Sequence, residues 1–213
     1  MKKMGGNGEV EINKGIATKK LKSNALKNRE KRDRFKREIK VLQKISKYNI
    51  DNIVKINDFD VNDEVLWFSM PEYEGNLNDL LDITKAKVTC SIKFILPIVK
   101  ALYELSKLGE HFFHRDLKPD NILFIKENEG IKLYLADFGC AYFKSDYDDR
   151  ITQEFRAVGA MAFRAPEYQY GKVTEVNEKG DIFSIGKILW YLINGNRKEV
   201  FPYTLWYPEE YDL

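Results

Sequence analysis

Eight consecutive residues hold most of the chemistry this chain can offer: His114-Arg115-Asp116-Leu117-Lys118-Pro119-Asp120-Asn121. From Asp116 to Asn121 they place a carboxylate, an ammonium and a carboxamide within six residues. The carboxylate can accept or orient a hydroxyl proton, the ammonium can neutralise a phosphate, and the carboxamide oxygen can meet a magnesium ion. A charged surface loop after a helix would have a similar composition. Against that reading stands a second carboxylate, Asp137 of Asp137-Phe138-Gly139, sixteen residues after Asn121. Lys19 in Ile16-Ala17-Thr18-Lys19 and Glu38, nineteen residues further on, add an opposite pair of charges. Lys20 is the alternative to Lys19 by one register. Near the start, Gly5, Gly6 and Gly8 make a backbone that can approach a phosphate closely, although a flexible hairpin turn explains them equally well.

Holding these groups together takes ordered elements, and the apolar pattern supplies them. Two short apolar pieces flank Asn13-Lys14-Gly15 and read as strand, tight turn, strand. Phe35, Ile39, Leu42 and Ile45 recur at helical spacing, with Glu38 beside the stripe. Residues 52–56 and 65–70 read as two further strands. Residues 91–108 read as a long helix through Ile92, Ile95, Leu96, Val99, Leu102 and Leu105, which Pro97 should kink or loosen. Ile122–Ile125 and Ile131–Leu135 read as a hairpin around residues 127–130. Residues 140–164 are polar and punctuated, and 181–192 form a mostly apolar helix. There are no internal repeats and no low-complexity tract.

The 213 residues suffice for one substantial core or two small lobes. Hydrophobic content of 44% with 32% charged residues is that of an ordinary soluble globular protein. With 35 basic and 33 acidic residues the balance is too even to argue for nucleic acid or an anionic membrane as partner. Residues 19–40 are the exception, with eleven Lys or Arg against three acids, either a solvated helix face or an anionic docking patch. No apolar run nears the roughly 18 residues of a membrane span, and the start does not resemble a signal peptide. Cys90 and Cys140 make neither a disulfide framework nor a metal spacing, so a cytoplasmic location is expected.

In order and over nearly the whole chain, these motifs resemble the signature set of eukaryotic-type protein kinases, of the serine/threonine kind. The resemblance implies a two-lobed α+β fold: residues 1–70 as a small antiparallel-sheet lobe, 71–76 as hinge, and 77–213 as a shortened, mostly helical large lobe. It implies transfer of the γ-phosphate of ATP to a protein hydroxyl. Asp116 then orients the hydroxyl and takes its proton, and Lys118 stabilises charge on the γ-phosphate. Lys19 anchors the α- and β-phosphates, fixed by Glu38, while Asn121 and Asp137 hold Mg2+. Gly5, Gly6, Gly8 and Val10 would cover the phosphates. Ala17, Met70, the carbonyl of Pro71, the amide of Tyr73 and Leu123 would surround the adenine. Arg115 resembles the arm of a basic pocket that receives a phosphate on the activation segment, with Thr152 the first choice of acceptor. Asp181 would hold the backbone of the catalytic loop. Ala165-Pro166-Glu167 matches the motif that closes the activation segment.

The departures are specific. Lys3 stands where the first glycine of the loop belongs, and the strand leading into it is almost entirely missing. Ala160 stands where most serine/threonine kinases carry a threonine that bonds the catalytic Asp and Lys. The chain ends about twenty residues after the last apolar helix, too soon for the helices that normally follow. Bare apolar surface and self-association are therefore expected. Two alternatives keep their place: a pseudokinase that binds nucleotide or a partner, and a small-molecule phosphotransferase.

Overall fold

A computed structural model describes residues 2–4, 8–62, 64–81, 88–108, 112–128, 130–143, 162–166 and 178–193. Five antiparallel strands build the small lobe: β1 (Lys2–Met4), β2 (Gly8–Asn13), β3 (Ile16–Leu21), β4 (Asp58–Val61) and β5 (Leu66–Pro71). Their order across the sheet is β1-β2-β3-β5-β4. The β2–β3 turn needs positive φ at both central residues, and Lys14 (48°) and Gly15 (78°) supply it. That two-residue turn matches the twist of its flanking strands. A strand does precede the glycine segment: three residues of β1 pair with Glu9–Glu11, where the sequence suggested almost none.

After the short helix α1 (Ser23–Leu26), which no periodicity announces, comes α2 (Arg29–Ile45). Asn28 caps it, its side chain accepting from the Lys31 N–H at 3.1 Å. The expected stripe of Phe35, Ile39, Leu42 and Ile45 is buried, and Glu38 is buried among them. Phe35 meets Phe68 of β5 with ring centroids 5.6 Å apart, which seats the helix on the sheet.

The strand expected at 52–56 does not form. Ile53 and Val54 are buried, but Ile53 makes a single parallel bridge to Leu135, and the Val54 N–H donates to the Leu135 carbonyl at 3.0 Å. These apolar residues are core between the lobes rather than sheet. The strand forms a few residues later as β4, an edge whose Asp58-Phe59-Asp60-Val61 does alternate acid and apolar residues but leaves Phe59 and Val61 exposed.

The large lobe begins with β6 (Gly75–Asn76) and α3 (Leu77–Leu81). A reciprocal cap starts α3: Asn76 Oδ1 accepts from the Asn78 N–H at 2.9 Å, and Asp79 accepts from the Asn76 N–H at 2.8 Å. Helix α4 (Val88–Ser106) runs through Pro97 without a break. Strand β7 (Phe112–Phe113) pairs with β10 (Tyr142–Phe143), while β8 (Ile122–Glu127) and β9 (Gly130–Leu135) form the expected hairpin and join β6. Helix α5 (Glu178–Ile193) buries Ile188, Tyr191 and Leu192. Its Tyr191 hydroxyl donates to Asn78 Oδ1 at 2.8 Å, tying α5 to α3. Ile182 is left 65% exposed, so this apolar helix does keep surface in water, as do Ile92, Leu96, Val99 and Tyr103 on α4. No described helix is long and apolar enough to cross a membrane. The architecture is two-lobed, a small antiparallel sheet with one long helix against a larger helical lobe, joined by a continuous core.

Candidate active site

Strand alternation decides between the two lysines. Side chains of successive strand residues point to opposite faces. Lys19 Nζ lies 2.7 and 2.8 Å from the two Glu38 carboxylate oxygens, whereas Lys20 turns the other way and meets Glu11 at 3.1 Å. Burial alone would lower the Lys19 pKa; Glu38 and then Asp137 outweigh it, so the ammonium is held above its ordinary value. For Glu38, burial lifts the carboxyl above its ordinary value although Lys19 pulls it down. With both oxygens on the ammonium, the ionised pair is the form present at neutral pH.

Beside this pair lies a cleft lined by Val10, Ala17, Met70, Tyr73 and Leu123, five of the residues expected around a nucleotide. Ala17 stands directly opposite Met70 in the β3–β5 ladder, which brings both to one wall. Gly75 and Asp79 line the cleft as well and were not expected. Pro71 closes β5 opposite Ile16 and is not among the lining residues. Gly8 is buried, and a Cβ there would stand 3.2 Å from the Lys20 carbonyl, so little room exists for a side chain. Gly5 and Gly6 lie outside the described residues.

The loop from His114 to Asn121 is held by its backbone. Arg115 has φ of 67°, a left-handed conformation that costs a non-glycine residue roughly 1–3 kcal/mol. Asp181 of α5 compensates by accepting the His114 N–H at 2.6 Å and the Arg115 N–H at 2.9 Å. His114 is buried; its Nδ1 accepts from the Asp116 N–H at 3.4 Å, which leaves Nε2–H to donate to the Ala136 carbonyl at 3.1 Å. Its ring meets Phe138 edge-on, centroids 5.0 Å apart, so the two loops share a packing partner.

Asp116 is buried; among the described residues its Oδ2 accepts from Arg34 Nη2 at 3.0 Å and Asn121 Nδ2 at 3.2 Å, with Lys118 Nζ an ion-pair contact at 3.6 Å. Asn121 Nδ2 also donates to the Asp116 carbonyl at 2.8 Å, which directs its carboxamide oxygen to other partners. Asp137, at φ of 59°, approaches Arg34 within 3.8 Å. Burial would raise the Asp137 pKa; Lys19, Arg34, His114 and Lys118 together outweigh it and bring it down to about 2. The residues present suit magnesium, which takes few carboxylates and completes its shell with water and phosphate oxygens. The Asn121 carboxamide oxygen and the Asp137 carboxylate would be its protein ligands. Among the described residues no three or more of His, Cys, Asp and Glu form a cage that would favour another metal. Burial pushes the neighbouring Cys140 thiol up to about 11, so it stays protonated at neutral pH.

Arg34 is the site residue the motifs did not announce. The available signal was its position one helical turn before Glu38, on the same face of α2. Thr152, Ala160 and Glu167 lie outside the described residues.

The family model "Protein kinase domain" matches residues 7–203. The chain belongs to the protein kinase family. Serine/threonine-protein kinase A of Synechocystis is 29% identical over 185 residues, covering 83% of this chain and 34% of that protein. A probable serine/threonine-protein kinase of Clostridium perfringens is 30% identical over 189 residues, covering 87% of this chain and 26% of the relative. One from Dictyostelium discoideum is 34% identical over 171 residues, covering 78% and 30%. The chain thus spans about a third or less of these relatives' length. Nucleotide use follows for a protein kinase in general; which residues of this kinase domain handle it is a separate question.

Proposed function

We propose that this kinase domain transfers the γ-phosphoryl group of ATP to a serine or threonine hydroxyl of a protein. The observation that carries the reading is the gathering of Lys118 and Asn121 on Asp116, with Arg34 reaching from Asp116 to Asp137 and Asp137 raising the pKa of Lys19 in its pair with Glu38. Val10, Ala17, Met70 and Leu123 supply apolar walls for the adenine ring, and the backbone at Pro71 and Tyr73 supplies its polar contacts. Lys19, held straight by Glu38, anchors the α- and β-phosphates. Asp116 orients the acceptor hydroxyl and takes its proton. Lys118 lies close enough to Asp116 to balance charge on the moving phosphoryl group. Asn121 and Asp137 would hold Mg2+, which neutralises phosphate oxygens when bound. Most of the rate then comes from positioning and from charges arranged in advance.

A second reading, nucleotide binding without transfer, draws on Ala160, which has no hydroxyl to offer Asp116. Incubation with labelled ATP, magnesium and a generic protein acceptor separates the two. The wild type should transfer label, and Asp116→Asn should bind ATP normally while losing at least about a hundredfold in turnover, the scale of a positioned acid–base group. Undiminished turnover in that variant removes Asp116 from its role. ATP binding by the wild type without transfer favours the second reading.

A further inference from the structure

Asp116 and Asp137 come from different loops of the large lobe, and one arginine of the small lobe reaches both. We propose that Arg34 is a positioning residue for the transfer reaction, holding the Asp116 carboxylate from α2. The proposal rests on the phosphotransfer reading of this site.

Three observations carry it. First, of the three groups described at Asp116 Oδ2, Arg34 Nη2 is the nearest, at 3.0 Å against 3.2 Å for Asn121 and an ion-pair distance of 3.6 Å for Lys118. The Asp116 side chain is 1% exposed, so a cation beside it offsets the cost of keeping a charge out of water. Because the three groups meet at one oxygen, they fix the plane of the carboxylate and which oxygen faces away from Arg34.

Second, the path of the side chain is built in. A Cβ on Gly139 would stand 2.7 Å from Arg34 Cγ and 2.9 Å from Nε, and less tightly 3.2 Å from Asp137 Oδ1. Gly139 is not among the residues with positive φ, so its backbone does not demand glycine. The room for Arg34 does.

Third, Arg34 and Glu38 lie four residues apart on α2 and share a face. One rigid helix therefore presents a carboxylate to Lys19 and a guanidinium to Asp116. A displacement of α2 would loosen the phosphate-side lysine and the acceptor-side carboxylate together. Arg34 acts through Asp116, and its planar guanidinium gives a direction that a lysine ammonium would give less well.

The test uses the whole chain with Mg-ATP and a protein acceptor. Arg34→Gln should lower kcat by about tenfold to a hundredfold, as expected when a reacting group is misplaced by up to about an ångström. KM for ATP should stay within about twofold, because Arg34 does not line the nucleotide cleft. Arg34→Lys should recover part of the loss. Gly139→Ala should also lower kcat, because its Cβ takes the space of the Arg34 side chain. An unchanged or raised kcat in Arg34→Gln, or a loss confined to KM, would overturn the proposal. A readout independent of turnover separates its failure from that of the phosphotransfer reading. Amide hydrogen exchange over residues 114–121 should quicken in Arg34→Gln relative to α4. A wild type without transfer counts against the phosphotransfer reading; unchanged exchange in the loop counts against Arg34.

Discussion

At the scale of single residues, the Lys19–Glu38 pair shows how stability and chemistry can be separated. Glu38 is buried in the apolar face of α2, and both its oxygens rest on Lys19. Removing Lys19 alone leaves that carboxylate buried without its cation, which costs about 3–5 kcal/mol for pairs of this kind unless the acid takes up a proton. Lys19→Met should therefore lose both turnover and thermal stability. Adding Glu38→Leu should recover much of the stability, since an apolar pair can replace a buried ion pair at little cost, but none of the turnover. Lys20→Met should retain activity, because Lys20 points to the far face and pairs with Glu11. Activity and melting measurements on the four proteins check this. A normal Lys19→Met beside an inactive Lys20→Met would reverse the assignment.

Elements carry those residues to their places, and here the sequence is readable to different depths. The β2–β3 hairpin, the α2 stripe, the β8–β9 hairpin and the α5 helix were all legible, because each has a period or a turn residue that its local geometry requires. Ile53 and Val54 were misread as a strand because an apolar run shows only that residues are buried. It does not tell a sheet from a junction between lobes. Strand β4 has a strand's alternation over four residues only, set among Asn and Asp that read as turn, and with Phe59 and Val61 exposed it is held by its pairing with β5. Arg34 was hidden in a run of basic residues, and its contacts to Asp116 and Asp137 with its path over Gly139 distinguish it from its neighbours. Lys19, Glu38 and Asp181 were legible because motif spacing named them, and each is found against the partner expected of it. The α5 helix makes the strongest prediction at this scale. Asp181→Ala would leave the His114 and Arg115 N–H groups without their acceptor, at about 1–3 kcal/mol for each such group that is buried. For a chain of this size that corresponds to a fall in Tm of at least about 4 °C. Asp181→Asn keeps one acceptor oxygen and should fall less. An unshifted Tm in Asp181→Ala would show that the loop keeps its left-handed Arg115 without help from α5.

Over the whole molecule, the segment joining the lobes is bonded to both. The Glu72 N–H donates to the Gly15 carbonyl of the small-lobe turn at 2.8 Å, and the Glu74 N–H donates to the Phe124 carbonyl of the large lobe at 3.0 Å. Between them Tyr73 is buried, its ring edge-on to Tyr134 of β9 with centroids 5.0 Å apart. Burial raises the Tyr73 phenol to about 12, with the Lys55 backbone pulling it down and Tyr134 adding to the rise. An unfolded tyrosine ionises near about 10, so the unfolded chain loses this proton first as pH rises. The neutral phenol therefore contributes stability that is fully present below about pH 10 and is lost as pH climbs towards about 12. Tyr73→Phe keeps the ring at the junction and has no proton to lose. Its denaturation midpoint should fall less steeply than that of the wild type between about pH 10 and 12. Parallel curves for the two proteins over that range would show that the phenol is already ionised in the folded state at the pH of a free tyrosine, and that the junction between the lobes is open to water.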